Sequence, residues 1–264
     1  MLVLDAGDAW QIVLQTDHAD LSGQLVRAWG GDGFAPPRPY ESVVRAATRH
    51  DDGWAVWERA PRLDPEREGP QTFFRVPADV HLAFYRAGVE VVTAEDPYAG
   101  LLCSMHFSGL YRDRYGVVPV RSGQLTDELR ALADRYVADE EARQAELAEL
   151  LGVPDDERWG NYALLQTADL LSLYFGLNHL ERGRGAEPGR CEDVPTAGGG
   201  RAALTIEPLG PWRVRVDPYP FAEDQVALTM VRRLLPKRDW PSDEALRADL
   251  AAVRPETVRI YAQR

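Results

Sequence analysis

A chain of 264 residues, 45% hydrophobic and 27% charged, is ordinary for a globular protein and long enough to bury a sizeable core. Its 42 acidic against 30 basic side chains give a net charge of −12, which argues against nucleic acid or an anionic membrane as the main partner. Cys103 and Cys191 are far apart and support neither a disulfide framework nor a cysteine zinc site. The opening MLVLDAGDAW lacks a basic and apolar leader, and no apolar run approaches the roughly 18 residues of a membrane span, so a cytoplasmic location is expected.

Residues 2–4 and 10–14 are short apolar stretches split by the turn-forming Asp5-Ala6-Gly7-Asp8, which predicts a hairpin. Thr16 or Asp17 can cap the next segment, where Leu21, Leu25, Ala28 and Trp29 recur at helical spacing until Gly30-Gly31 stops it. His18 lies on that buried stripe. Pro39 starts a second helix with Val43, Ala47 and His50 on one face, Asp51 follows at once, and Gly53 is read as the helix end. An imidazole followed directly by a carboxylate presents two metal ligands from one short piece of backbone. Residues 59–76 hold three prolines and no period, predicting a long loop of the kind that is often functional.

A third helix from Pro77 places His81, Phe84, Tyr85 and Gly88 on one face; a fourth from Pro97 does the same for Leu102, Cys103, His106 and Leu110. Residues 125–152 read as an acidic amphipathic helix or helix pair with Leu125, Leu129, Leu132, Tyr136, Leu147 and Leu151 inward and its charges solvated. Pro154-Asp155-Asp156 opens another helix, aligning Tyr162, Gln166, Asp169 and Leu173. A carboxylate inside LLQTADLLSLYF is costly to bury, so Asp169 needs a metal, an arginine or several donors. Residues 183–200 are rich in Gly and Pro and predict mobile turns. Residues 204–207, 213–216, 226–232 and 257–261 predict strands, and residues 242–252 a helix. The expected fold is mainly α. A helical core over residues 16–182 would carry a small antiparallel sheet built from the N-terminal hairpin (1–15) and the C-terminal strands (201–264), all within one domain, 1–264.

Only five histidines occur, and four of them, His18, His50, His81 and His106, fall on inward helical stripes, as does Asp169. With Asp51 they form a set of convergent candidate ligands. His179 stands near a helix end, where exposure or a dipole contact explains it. Arg49, Asp52, Gln15, Gln166, Ser108 and Arg112 lie one residue or one turn from a candidate ligand: Asp51, Asp52 and Arg49 are the candidate catalytic groups, and Arg112, Gln166 and Ser108 the candidate substrate contacts. Arg62, Arg67 or Arg112 is available to bind phosphate.

The order His, His-Asp, His, His, Asp on successive helices, with the wording TRHDDGW, SMHFSGLY and LLQTADLLSLYF, resembles the two-metal form of the HD-domain superfamily over residues 16–180. HDDGW differs from the more usual continuation of the HD pair, which makes the relatives that signal through cyclic dinucleotides a poor match. The resemblance implies that His18, His50, Asp51 and Asp169 hold one metal, and that Asp51 bridges to a second held by His81 and His106. It implies one or two divalent transition metals (Mn, Fe, Co, Ni or Zn) and a small-molecule substrate. The expected activity is phosphohydrolysis of a small phosphoester or nucleotide. A diiron oxygenase and a non-enzymatic metal-binding regulatory module are the alternatives. The sequence carries no sign of the oligomeric state.

Overall fold

The computed structural model describes residues 1–66, 69–115, 126–182 and 186–264. The hairpin forms as β1 (Leu2–Asp5) and β2 (Ala9–Val13), with Leu2 opposite Val13. The helices that carry the histidines follow: α1 (Gln15–Ala28), α2 (Tyr40–Arg49), α4 (Ala78–Glu95) and α5 (Pro97–Tyr111), with a short α3 (Trp54–Glu58) after the His-Asp pair. Pro39 and Pro77 take the position before the first helical turn, and Pro97 opens α5 beside an Asp96 carboxylate that accepts the amides of Tyr98 and Ala99. α1 starts on Leu14 with no side-chain cap; Thr16 and Asp17 already lie in its first turn.

The long loop after α3 contains a two-residue strand pair, β3 (Leu63–Asp64) with β4 (Gly69–Pro70), and a 3-10 turn at Phe73–Arg75. α6 (Asp127–Leu151) is one continuous helix, ending at Gly152 in the left-handed region, φ 63°. Its buried stripe differs from the expected leucines. Ala133, Val137, Glu140, Gln144 and Ala148 face inward, while Leu132, Tyr136 and Leu147 are only partly covered and Leu151 is exposed. Leu125 and Arg67 lie outside the described residues. The small side chains let α6 pack closely on α5, and buried polar pairs fill the seam: Ser104 donates to Glu140 at 2.6 Å and Gln144 donates to Ser108 at 3.1 Å. α7 (Asp155–Leu177) then runs back through the core, packed on α1, α2 and α5.

The expected mainly-α fold with a small antiparallel sheet is wrong. Of the described residues about 51% are helical and 23% lie in strands, and apart from the β3–β4 pair the strands form one curled, mixed seven-stranded sheet. The spatial order is β1-β2-β8-β9-β7-β6-β5, with β5 (Gly189–Pro195), β6 (Arg201–Gly210), β7 (Arg213–Asp217), β8 (Gln225–Pro236) and β9 (Glu256–Gln263). The hairpin and the C-terminal strands do share a sheet, through β2 against β8. β5 occupies part of the stretch expected to be mobile turns: Gly189 and Pro195 at its ends hide it, and a register shift between Cys191 and Val194 breaks its alternation. β7 and β9 pair in parallel because the chain leaves β8, passes through α8 (Asp243–Ala252) and inserts β9 between β8 and β7. The inward residues of neighbouring strands align, as with Leu228 opposite Ile260 and Ile206 opposite Val216, and they pack with the helices in one apolar core.

Candidate metal centre

α1 packs on α2 and α7, and α5 packs on α2 and α7, so the inward faces of four helices meet. His18 comes from α1, His50 and Asp51 from the end of α2, His106 from α5 and Asp169 from α7, and all five are buried. Asp51 Oδ2 lies 3.1 Å from His18 Nε2 and 3.8 Å from His50 Nε2; Asp169 Oδ1 lies 3.7 and 3.6 Å from the same two nitrogens. Donors bonded to one metal at about 2.0–2.2 Å stand roughly 3–3.5 Å from each other, so contraction by a few tenths of an ångström would close the shell. His50, His106 and Asp169 form a second triad of candidate ligands beside His18, His50 and Asp51.

The surrounding hydrogen bonds select the tautomers. His50 Nδ1 donates to Ala47 O at 2.8 Å, which turns Nε2 towards the carboxylates, where it is buried with no hydrogen-bond partner. Ser172 Oγ donates to Asp169 O at 2.7 Å, so it accepts from His18 Nδ1 at 2.6 Å and turns His18 Nε2 towards the carboxylates. Gln15 Nε2 donates to Asp51 Oδ2 at 3.1 Å, and the Tyr85 hydroxyl donates to Asp51 Oδ1 at 2.5 Å. His106 Nε2 lies 3.5 Å from Asp51 Oδ1, and its Nδ1 meets the Tyr115 hydroxyl.

Burial alone would raise both carboxylates, but the three imidazoles around them hold Asp51 well below the usual range and lower Asp169. Burial works against a charged His50 too, yet Asp51 and Asp169 raise it to about 9. Burial lowers His106 and pushes the Tyr85 and Tyr115 phenols well above their ordinary values, keeping them protonated donors. Among the described residues no arginine or lysine lies within ion-pair distance of either carboxylate. Two buried carboxylates facing imidazole nitrogens, one of them without a hydrogen-bond partner, are the donor set a divalent cation would satisfy, displacing the proton that His50 holds in its absence.

A cavity of about 60 Å³ opens on this cluster, walled by Trp54, Phe73, Phe74, Leu110 and Leu173, with Gln15 and His81 at its polar side. His81 is buried there but belongs to neither triad; its Nδ1 is 2.7 Å from the Tyr111 hydroxyl and its ring lies 4.3 Å from that of Tyr85. The expected catalytic pair Arg49 and Asp52 does not line the cavity. The two bond each other at 2.6 Å, and Arg49 also reaches Glu95, tying the end of α2 to α4. Ser108 is buried between α5 and α6, Arg112 pairs with Glu141 at 2.9 Å, and Gln166 donates to Arg114 O beside a separate surface groove. Arg62 lies over the Trp57 ring, Cys103 faces Ala46 O, and His179 lies beyond α7. None of these lines the cavity.

Sequence reasoning missed the roles of Tyr85, Tyr115 and Ser172. Helical periodicity does place Tyr85 one turn beyond His81 on the same face, but nothing in the sequence says that its hydroxyl reaches Asp51. Gly53 was read as a helix end; its φ of −56° is ordinary, and what it provides is room. A Cβ there would lie 2.3 Å from Phe84 O, and one on Gly88 would lie 2.7 Å from Gly53 N. The turn carrying His50 and Asp51 is thereby seated directly against the helix carrying His81 and Tyr85.

No match is found among curated proteins, and none among solved structures. A family described as "Protein of unknown function (DUF3891)" matches residues 1–237, a span that includes every residue of the buried cluster, and the chain belongs to that family.

Proposed function

We propose that the protein is a metal-dependent hydrolase of HD type, in which His18, His50, Asp51 and Asp169 hold a divalent transition metal and a small phosphoester is cleaved. The observation that carries this reading is the buried His50 Nε2, without a hydrogen-bond partner and facing two carboxylates that, among the described residues, no arginine or lysine neutralises. Such a metal, when bound, lowers the pKa of water towards neutrality and polarises a phosphoryl oxygen. Ser172 and the Ala47 carbonyl orient the two imidazoles, Gln15 and Tyr85 orient Asp51, and the aromatic wall keeps bulk water from the reacting atoms. A cavity of about 60 Å³ admits the reacting group of a substrate and leaves a nucleobase outside.

The second reading, an oxygenase acting on a small metabolite, is favoured by the wall itself, which among the described residues carries aromatic and aliphatic side chains and no arginine or lysine. Loading the metal-depleted protein with Mn, Co or Fe and screening phosphoesters with oxygen excluded separates the two. Turnover that disappears in Asp51→Ala supports hydrolysis. No turnover with any metal, together with oxygen consumption by the iron form on addition of metabolites, replaces it with the oxygenase.

A further inference from the structure

The two ligand triads, His18/His50/Asp51 and His50/His106/Asp169, have His50 in common. With its Nδ1 committed to the Ala47 carbonyl, His50 has one nitrogen to offer, so both triads cannot be filled at once. His106 Nδ1, 3.8 Å from Asp169 Oδ2, is committed to the Tyr115 hydroxyl, so the position left for a second ion is between Asp51 Oδ1 and His106 Nε2, atoms 3.5 Å apart. That gap is taken. The Tyr85 oxygen stands 2.5 Å from Asp51 Oδ1 and 3.3 Å from His106 Nε2, and it accepts a further hydrogen bond from Trp54 Nε1 at 3.1 Å. Its ring is stacked on Phe107, with centroids 5.2 Å apart, so the hydroxyl is held in place from behind.

We propose that the Tyr85 hydroxyl occupies the second-metal position and limits the centre to one ion, keeping Asp51 a ligand through Oδ2 alone. The inference rests on the proposed metal centre and selects one ion from the one or two expected. Tyr85 acts as a positioning residue: it satisfies the outer oxygen of Asp51 with a proton where a dinuclear site would use a metal.

The test is metal stoichiometry. The chelated full-length protein is titrated with Co²⁺ and Mn²⁺, and bound metal is counted by elemental analysis, with circular dichroism to confirm the fold. Wild type saturates at one ion per chain. Tyr85→Phe, which keeps the ring and removes only the hydroxyl, retains that ion and takes up a second, weaker one; adding His106→Ala returns the count to one. Spin coupling between two Mn²⁺ ions is expected in Tyr85→Phe only. Two ions in the wild type would overturn the inference and leave the metal centre standing, and this needs no variant. A Tyr85→Phe protein that stops at one ion would also overturn it. Wild type that binds neither metal would overturn the metal centre and this inference together.

Discussion

Replacing Gly53 by alanine tests whether close backbone approach is what seats the His50-Asp51 turn. The added Cβ would stand 2.3 Å from Phe84 O and 2.9 Å from Phe84 C, where ordinary contact begins near 3.4 Å. The obstacle is backbone, so the turn and α4 must separate by about 1 Å, a strain of the overpacking kind that costs about 1–3 kcal/mol. At about 2–4 °C per kcal/mol for a chain near this size, the melting temperature should fall by about 2–12 °C. Helix propensity pulls the other way, since alanine is favoured over glycine by up to about 1 kcal/mol in a helical backbone such as that at Gly53, so at the lower end of the strain the fall shrinks towards zero and the loss of metal affinity carries the test. Tyr85 follows Phe84 directly, so the same displacement should loosen the 2.5 Å bond to Asp51 and weaken metal affinity. Thermal unfolding with and without excess metal, together with a metal titration, measures both effects. An alanine variant that melts at or above the wild-type temperature and binds metal equally well would refute the reasoning.

The groups that only orient ligands should matter less than the ligands. Ser172→Ala, which frees His18 Nδ1, is expected to weaken metal binding by about 10–100-fold, whereas His18→Ala and His50→Ala should cost more and His179→Ala nothing, all read by competition with a chelating dye. The metal-free protein should also depend on pH in a particular direction. His50 is raised from 6.5 to about 9 on folding, so its protonated form stabilises the fold fully below about pH 6.5, and that contribution is lost as pH rises through about 9. Melting temperatures measured in chelator should accordingly decline from pH 6.5 to 9, and added metal should flatten the decline. A flat profile in chelator would show that the two carboxylates do not govern His50.

Much of the site was legible because helical periodicity and four conspicuous histidines are local facts. The spacing that puts His18, His81, His106 and Asp169 on buried stripes follows from 3.6 residues per turn, and each is buried where periodicity placed it. The proline and aspartate signals likewise marked where α2, α4, α5 and α7 begin. What a single helix cannot reveal is which buried groups meet. His81 shares a stripe with Tyr85 but stands outside both ligand triads, and Arg49 and Asp52, neighbours of the key pair in sequence, turn to each other and Glu95. The sheet was underread for the same reason. β5 is hidden by glycine, proline and a bulge, and the insertion of β9 between β8 and β7 depends on pairing between distant segments, which no local pattern encodes. Sequence by itself determined most of the helices, the buried faces that carry His18, His50, His81, His106 and Asp169, and the inventory of candidate ligands. Only the tertiary structure decided that Tyr85 reaches Asp51, that two glycines bring the His50-Asp51 turn against α4, and that the cavity is walled by aromatic rings, because these are contacts between elements and arise only when the helices pack.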